Sequence, residues 1–256
     1  MKKTLSILFV ALFTLSVLGL AVMSVRQHRQ KVVRHVRVHL YFAAGQKFMT
    51  IDQVNKMMHS SDSIIGKPVK SIAVHSVEKQ VDRNPFVKSV DVYFNILGDL
   101  TVNVYEKEAV MRIFNQKNQS CYVDKSGDLF PLTGRFSARV IPVNGYLSMP
   151  LRMGKNVSDS LYARGLLPGL YRLVRQIDKN PFLKAAISQI FVNSRGKIDL
   201  IPEVGRHLIR FGKLEDINIK LENLEAFYKQ ALVKEGWNKY KSINLAFVNQ
   251  VVCTKK

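Results

Sequence analysis

Proline and glycine, the residues that most often interrupt regular structure, are scarce in this chain, at 8 and 14 of its 256 residues. Together with a hydrophobic fraction of 47%, this scarcity excludes a mainly disordered protein and predicts folded material. The length allows one large domain or two modest ones.

Acidic residues are also few, since 19 Asp and Glu are set against 39 Lys and Arg, for a formal net charge of +20. Such a charge first suggests nucleic acid as a partner. The basic residues are scattered, however, and no run of them alternates with aromatic side chains as a base-stacking surface requires. We therefore expect no nucleic-acid partner, and instead anionic lipid headgroups, acidic wall polymers or acidic protein surfaces.

Motifs for catalysis and cofactor binding are missing. The glycines form neither a Gly-x-Gly-x-x-Gly pattern nor a P-loop, and there is no Gly-x-Ser-x-Gly elbow. His35 and His39 are four residues apart, but they fall in a predicted strand and lack the glutamate of a zinc-binding helix. The sequence places no histidine beside Cys121. We expect no enzyme activity, no cofactor, no metal and no small-molecule substrate.

The chain has only two cysteines, Cys121 and Cys253. They fall in separate predicted strands, and nothing in the sequence brings their Cα atoms within the ~7 Å that a disulfide requires. A disulfide and two buried thiols are both compatible with the sequence.

The longest apolar run is the 22-residue stretch 4–25, which has no charged residue. As a helix rising ~1.5 Å per residue it would measure roughly 33 Å, slightly more than the ~30 Å hydrocarbon core of a bilayer. A cleaved signal peptide is the alternative, but its apolar core is typically only ~7–15 residues long. We predict an uncleaved membrane helix with residues 1–3 in the cytoplasm.

The charges around this helix do not favour that orientation. Lys2 and Lys3 precede it, whereas five basic residues follow within 26–37. Long domains can nevertheless be translocated largely regardless of charge. We therefore expect residues 26–34 to form a basic linker and the rest of the chain to be exported.

Residues 35–106 predict one strand, two helices and two further strands, in that order. The first strand carries an apolar residue at every second position, as a half-buried strand does. Thr50 and Gln53 form a capping-box pattern at the start of the first helix. The second helix spans about 71–84, and a Gly98-Asp99 turn joins the last two strands.

Beyond Ala109 the sequence predicts mainly short strands. Two helices support them: one across 160–178, with a turn or kink near Pro168, and a long amphipathic one over about 216–234. The predicted fold class is therefore α+β, with an N-terminal transmembrane helix, a strand-helix-helix-strand-strand domain, and a mainly β domain with supporting helices.

One segment occurs twice, as "VDRNPFVKSVDVYFN" at 81–95 and as "IDKNPFLKAAISQIFVN" at 177–193. In each copy the proline disfavours continuation of the preceding helix, and an alternating pattern follows. We predict the same helix-to-strand joint in both places. A duplicated active site is the less favoured interpretation.

The last apolar segment, "SINLAFVNQVVC" at 242–253, predicts a single strand near the end of the chain. Phe247, Asn249, Val251 and Cys253 would lie on one side of it. At a sheet edge, such a strand would offer unpaired N–H and C=O groups to another chain. Inside the sheet it would be an ordinary core strand, and the residues alone leave both possibilities open.

The order of these elements resembles the FtsQ/DivIB family of bacterial cell-division proteins. The resemblance covers nearly the whole chain, and it rests on the basic start, the single membrane helix and three stretches: "IIGKPVKSIAVHSVEKQVDRNPFVKSVDVYFN" at 64–95, "YVDKSGDLFPL" at 122–132 and "GWNKYKSINLAFVNQVVCTKK" at 236–256. It departs from the family at 106–109, where this chain reads Glu-Lys-Glu-Ala and the family often has Arg and Pro.

The resemblance implies five regions: a cytoplasmic tail at 1–3, the transmembrane helix at 4–25, the basic linker at 26–34, a POTRA domain at 35–106 and a β-rich C-terminal domain at 107–256. It implies a non-enzymatic, single-pass scaffold in the inner membrane at the division septum, with its C-terminal domains in the periplasm. Such a scaffold helps to recruit and regulate septal peptidoglycan synthesis.

The partners that the resemblance implies are FtsB and FtsL, which are small coiled-coil division proteins, and other divisome proteins. In the family, the last strands of the β-rich domain pair with a segment of FtsB by strand addition. The residues expected to contact the partner are Asn244, Phe247, Asn249, Val251, Cys253 and Lys255.

Three alternatives stay open at this point. A POTRA-containing periplasmic chaperone for outer-membrane protein assembly would usually carry several POTRA units and a membrane barrel, and only one unit is visible here. An exported hydrolase would use Cys121 as its nucleophile. A free secreted domain would lack residues 1–21.

Overall fold

The computed structural model describes residues 12–20, 31–59, 64–247 and 250–256. The chain divides into two compact units: the first comprises Met1–Phe42 and Met49–Glu106, and the second comprises Ala43–Phe48 and Lys107–Lys256.

The predicted membrane segment 4–25 is described only over residues 12–20, which are helical and exposed. Its remaining residues, and the linker up to residue 30, lie outside the described residues. Among the residues that the structure describes, no helix is long and apolar enough to cross a membrane.

The first unit has the predicted order of one strand, two helices and two strands. Its elements are β1 (Val36–Tyr41), α1 (Ile51–His59), a 3-10 turn (Val69–Ser71), α2 (Val74–Asp82), β2 (Val87–Phe94) and β3 (Leu100–Glu106). Helix α2 begins three residues later than predicted, because the 3-10 turn precedes it as a separate element. The capping box is confirmed, since the Thr50 N–H donates to Gln53 Oε1 at 2.9 Å and the Gln53 N–H donates to Thr50 Oγ1 at 3.3 Å.

The three strands of the first unit form a sheet in the order β1-β3-β2. Strand β1 runs parallel to β3, with Val36 opposite Leu100, and β2 runs antiparallel to β3 as a hairpin. The core combines buried residues of the sheet and of both helices: Val54, Met58, Val77, Val81, Val92, Leu100, Val102 and Val104. The predicted alternation of β1 is confirmed, because its even-numbered residues are half-buried and its odd-numbered residues are exposed.

The second unit is built from nine strands with supporting helices. Its elements are β4 (Ala109–Phe114), β5 (Ser120–Asp124), β6 (Leu129–Phe130), β7 (Ile141–Gly145), α3 (Leu167–Lys179), α4 (Pro181–Ala186), β8 (Ile187–Val192), β9 (Ile198–Pro202), β10 (Leu208–Gly212), α5 (Ile217–Phe227), a π-helical turn (Tyr228–Leu232), α6 (Val233–Glu235), β11 (Tyr240–Asn244) and β12 (Val252–Lys255). The α+β class is thus confirmed for both units.

The nine strands form one sheet in the order β12-β11-β10-β9-β8-β7-β4-β5-β6. Three neighbouring pairs, β4–β7, β7–β8 and β10–β11, are parallel, and the others are antiparallel. Parallel neighbours need long crossover connections. Helices α3 and α4 lie in the crossover from β7 to β8, and α5 lies in the crossover from β10 to β11.

Helix α3 corrects the prediction of a helix from residue 160. It begins at Leu167, and residues 161–166 form turns and bends. Pro168 therefore lies in the first helical turn, where its missing N–H costs no hydrogen bond, and it does not kink the helix. The long helix predicted over 216–234 is confirmed, with a π-helical turn in its second half.

The segment Ala43–Phe48 lies within the predicted domain 35–106, yet it belongs to the second unit. The Ala109 N–H donates to Gln46 Oε1 at 2.8 Å, and Gln46 Nε2 donates to the Ala109 carbonyl at 3.0 Å. The ring of Phe48 packs edge-on against Tyr122 and Phe130, with centroids 5.6 and 5.4 Å apart. The side-chain amide of Gln46 thus makes, with the first residue of β4, the two hydrogen bonds that a neighbouring strand would otherwise make.

Candidate partner-binding site

The C-terminal segment forms a hairpin, and the prediction of one continuous strand over 242–253 is wrong. Strands β11 and β12 pair antiparallel, with Ile243 opposite Cys253 and Asn244 opposite Val252. The chain leaves β11 at Asn244, whose Oδ1 accepts a hydrogen bond from the Ala246 N–H at 3.0 Å. A side-chain acceptor of this kind closes a tight turn and competes with strand pairing.

Strand β11 is an inner strand. It pairs with β10 on one side, where Ile209 lies opposite Ile243, and with β12 on the other. Ile243 and Leu245 are buried in the core of the second unit. The Leu245 N–H donates to the Arg210 carbonyl at 2.9 Å, so hydrogen bonding to β10 continues one residue past the strand.

Strand β12 is the edge of the nine-stranded sheet. Within the described residues, it pairs with β11 alone. Val252 is 43% exposed, and Thr254 and Lys255 are exposed as well. Among the described residues, the outer amide and carbonyl groups of this strand therefore have no strand partner, and such groups are a template for another β-segment.

The opposite edge of the same sheet differs from β12. Strand β6 has only two residues, Leu129 and Phe130, and both are buried. Short, covered edge strands offer little to a visiting chain. Of the two edges, β12 is the accessible one.

The expected contact residues are distributed over the hairpin rather than along one strand. Asn244 is half-buried at the end of β11, and Phe247 is 48% exposed in the connecting loop. Val251 and Cys253 are half-buried against the core, whereas Lys255 is exposed opposite Tyr240. Asn249 lies outside the described residues. The structure thus brings Asn244, Cys253 and Lys255 onto one hairpin, and it places Phe247 in the loop rather than in a strand.

A polar pocket of about 410 Å³ adjoins the hairpin, and no pattern in the sequence indicates it. Its charged lining residues are Arg195, Lys197, Asp199 and Arg210. Asn244 also lines it, because the parallel pairing of β10 with β11 sets Asn244 opposite Arg210. Three cations against one carboxylate make this pocket suited to a carboxylate or another acceptor group of a partner chain.

Aromatic residues pack behind the hairpin. His207 and Tyr228 are buried, and His207 Nε2 lies 2.7 Å from Tyr228 Oη. Burial raises the pKa of the Tyr228 hydroxyl. Burial also lowers the pKa of His207, and this outweighs the opposing effect of the Trp237 carbonyl. The ring of Trp237 stacks edge-on against Tyr228 at 5.5 Å between centroids, so this cluster supports the start of β11.

The two cysteines are not joined in a disulfide. Cys121 and Cys253 are free thiols, so of the two possibilities left open by the sequence the structure favours separate thiols. Burial raises the pKa of the Cys121 thiol to about 12, and a buried thiol with such a pKa is a poor nucleophile at neutral pH. Among the described residues, no group of three or more His, Cys, Asp or Glu side chains could hold a metal ion.

Two family models match the chain. Residues 108–254 match the model described as FtsQ/DivIB, C-terminal related. Residues 31–105 match the model described as a POTRA-like domain. A search of curated proteins found no match. The two matches lie side by side and together cover residues 31–254 with only a short gap.

Proposed function

Because the chain belongs to the FtsQ/DivIB family, we propose that it is a single-pass membrane scaffold of the bacterial division machinery that binds FtsB and FtsL. The family is one of non-enzymatic division scaffolds, and membership implies a cell-division scaffold role. In this proposal the chain catalyses no reaction. It recruits and regulates septal peptidoglycan synthesis by holding other divisome proteins at the septum.

The proposed topology places residues 1–3 in the cytoplasm, residues 4–25 in the inner membrane and both folded units in the periplasm. The family is one of division-site membrane proteins, which supports a membrane location. The exposed apolar side chains of Leu12, Phe13, Leu15 and Leu18 also support it, because apolar helix surfaces of this kind need lipid or protein cover.

The docking site in this proposal is the side of β12 that has no strand partner among the described residues. This open edge is the single observation on which the proposed docking site rests. A segment of FtsB would add a strand there. Four residues offer few hydrogen bonds, each contributing only about 0.5–1.5 kcal/mol. Burial of exposed apolar side chains must therefore add to the affinity, and Val252 and Phe247 are available for it.

The contact set proposed from the sequence, Asn244, Phe247, Asn249, Val251, Cys253 and Lys255, is kept and extended by Val252 and Thr254 of the edge strand. The basic pocket beside Asn244 can receive an acidic side chain of the same segment. FtsL and other divisome proteins would then join through FtsB or through other surfaces.

The test compares two valines of similar exposure. Val252 is 43% exposed on β12, and Val204 is 55% exposed in the turn between β9 and β10. Val252→Asp introduces a charge where the partner strand would bury it. Because burying this charge costs about 2 kcal/mol of binding free energy, we expect FtsB binding to weaken roughly 30-fold. Val204→Asp leaves binding unchanged. Co-purification of FtsB with the full-length chain and septal localisation are the measurements.

A second pair of variants tests the loop. Phe247→Asp is expected to weaken FtsB binding, whereas Tyr146→Asp, at a residue 55% exposed after β7, is its matched control. Normal FtsB binding by both Val252→Asp and Phe247→Asp, in folded and normally abundant protein, would refute docking at this edge.

A further inference from the structure

Three segments meet at one end of the first unit: residues 31–34, 64–70 and 95–99. The Val33 N–H donates to the Lys67 carbonyl at 2.9 Å, and the Val69 N–H donates to the Lys31 carbonyl at 2.8 Å. Lys31 Nζ donates to the Ile96 carbonyl at 3.0 Å. The point where the chain enters the unit therefore lies beside the turn between β2 and β3. We call these three segments the basic tip.

The basic tip exposes large apolar side chains. Ile96 is 84% exposed, which is the highest value among large hydrophobic side chains in the described residues, and Leu97 is 67% exposed. Ile65 and Val32 are 51% and 45% exposed in the adjoining segments. Turn positions usually carry polar residues, so a pair of aliphatic side chains there needs an apolar environment to explain it.

The turn that carries Ile96 and Leu97 is held in one shape. Asn95 Oδ1 accepts hydrogen bonds from the Leu97 and Asp99 N–H groups, each at 2.9 Å. Gly98 adopts a φ of +90°, a conformation that side-chain-bearing residues rarely adopt. The aliphatic pair is thus presented outward by a preorganised turn and has no cover from the described residues.

The segments that meet at the basic tip are rich in cations, and one of these cations, Lys31, contacts the turn that carries the apolar pair. The three segments and the residues up to 37 contain five cations, Lys31, Arg34, Arg37, Lys67 and Lys70, and one carboxylate, Asp99. Asp99 is buried and already paired with His35 and Arg37. Lys31, Arg34 and Lys70 are exposed, so the accessible charge of the basic tip is positive.

The chain connectivity limits how far this end can lie from the apolar helix. Residue 20 is the last helical residue described there, and residue 31 belongs to the basic tip. Eleven peptide steps between them span at most about 40 Å. If residues 4–25 are in the bilayer, the basic tip is therefore confined near the membrane surface.

We propose that the basic tip contacts the anionic bilayer surface, with Ile96 and Leu97 inserted into the interface and Lys31, Arg34 and Lys70 against lipid phosphates. Exposed apolar side chains flanked by cations bind membrane interfaces in two ways: the apolar side chains are buried among the lipids, and the cations are attracted to anionic headgroups. This inference rests on the membrane anchor of the proposed function. It fixes the orientation of the first unit, with β2 and β3 extending away from the lipid.

The experiment uses the full-length chain with the substitution Cys253→Ser and one added cysteine labelled with an environment-sensitive NBD fluorophore. Cys121 is buried with a pKa of about 12 and will not react. The test variant is Ile96→Cys, and the control is Lys88→Cys, an exposed position at the other end of β2, about 20 Å away. Each protein is reconstituted into vesicles of phosphatidylcholine with or without phosphatidylglycerol.

The expected result is a blue-shifted NBD emission at position 96 that lipid-attached spin labels quench, and an unshifted, unquenched emission at position 88. The shift is larger with phosphatidylglycerol, and Lys31→Glu with Lys70→Glu reduces it. Equal spectra at 96 and 88 in protein that floats with the vesicles would overturn this contact alone, and would leave a protein partner as the cover for Ile96 and Leu97. Failure of the protein to float with the vesicles would contradict both the anchor and the contact.

Discussion

The two Asn-Pro-Phe segments begin alike and then diverge. In both, the asparagine Oδ1 accepts a hydrogen bond at 3.0 Å from the N–H of the phenylalanine two residues on. After Asn84, strand β2 begins at Val87. After Asn180, helix α4 intervenes, and strand β8 begins only at Ile187. The prediction of one shared helix-to-strand joint is therefore correct for the first copy and wrong for the second.

The residues that follow the motif explain the difference. The first copy continues "VKSVDV", in which β-branched valines favour a strand, and the second continues "LKAAIS", in which Leu, Lys and Ala favour a helix. Asn180 Oδ1 also accepts from the Leu183 N–H at 3.2 Å, which makes it the N-cap of α4. The motif sets a turn, and the next residues decide which element follows the turn.

The largest effect is expected from removing the buried residue that follows each motif. Leu183 and Val87 are 2% and 4% exposed. Leu183→Ala should destabilise the second unit by about 2–5 kcal/mol, and Val87→Ala should destabilise the first unit by roughly 2 kcal/mol. Trp237 is the single tryptophan, so its fluorescence reports unfolding of the second unit, and amide hydrogen exchange reports the first.

The exposed residue next to each of these positions provides the control. Lys184→Ala and Lys88→Ala should each change stability by less than about 1 kcal/mol, because neither side chain is buried. If Leu183→Ala cost no more than Lys184→Ala, α4 would not be anchored in the core as described.

The next largest loss of stability is expected from substituting the asparagines themselves. Asn180→Ala removes the cap of α4 and the hydrogen bond from Asn180 Nδ2 to Glu225 Oε2 at 2.6 Å, so we expect a loss of about 1–2 kcal/mol. Asn84→Ala removes only the turn and a weak bond to Met57 Sδ at 3.6 Å, so its loss should be about 1 kcal/mol or less. Urea unfolding followed by Trp237 fluorescence and by hydrogen exchange measures the two losses.

The aspartate variants separate the two roles of Asn180. Asn84→Asp keeps the acceptor oxygen, so the first unit should regain the stability that it loses in Asn84→Ala. Asn180→Asp keeps the cap but sets a second carboxylate against Glu225, so its rescue should be incomplete. Full rescue at both positions would show that the bond to Glu225 contributes nothing.

Local patterns predicted most of the first unit. The alternation of β1, the capping box at Thr50 and the Gly98 turn each depend on residues close in sequence, and all three are confirmed. Helix α4 was also predictable from local residues, because Leu183, Lys184 and Ala185 favour a helix, but the shared Asn-Pro-Phe segment suggested the same joint in both copies. What local residues do not reveal is the hydrogen bond from Asn180 to Glu225, which lies 45 residues further along the chain.

The candidate site was predictable only in outline. The apolar C-terminal segment indicated a strand and left open whether that strand lies at an edge, and its division into β11 and β12 depends on the turn at Asn244. The basic pocket was missed because Arg195, Arg210 and Asn244 come from three separate segments. They are brought together because β10 pairs with β9, which follows the turn at Arg195, on one side and with β11 on the other, and periodicity in a single strand does not reveal these pairings.

A smaller change in stability is expected from substitutions that test the helix and strand propensities of the residues after each motif. Ala185 is exposed in α4 and Ser89 is exposed in β2. Ala185→Val should destabilise the second unit by about 0.5 kcal/mol, because β-branching disfavours a helix, whereas Ser89→Val should leave the first unit unchanged or slightly more stable. The same two measurements apply, and losses of equal sign and size would contradict the propensity explanation.

The smallest effect should be a difference in acid sensitivity between the two joints. The pKa of Glu225 is lowered, first by its hydrogen bond with Lys229 at 2.6 Å and next by the bond from Asn180. A carboxylate with a lowered folded-state pKa stabilises the fold above its unfolded-state pKa, here 4.5, and this stabilisation is lost as the pH falls through the folded-state value.

Asn180→Ala removes the second of these causes, so the melting temperature of the second unit should fall less steeply between pH 5 and pH 3 than in the unmodified chain. Asn84→Ala leaves Glu225 untouched, and its curve for the second unit should overlay that of the unmodified chain. Thermal unfolding followed by Trp237 fluorescence measures both curves. Because Glu225 lies near solvent, screening keeps the difference small, and a steeper acid loss in Asn180→Ala would show that Asn180 raises the pKa of Glu225 instead of lowering it.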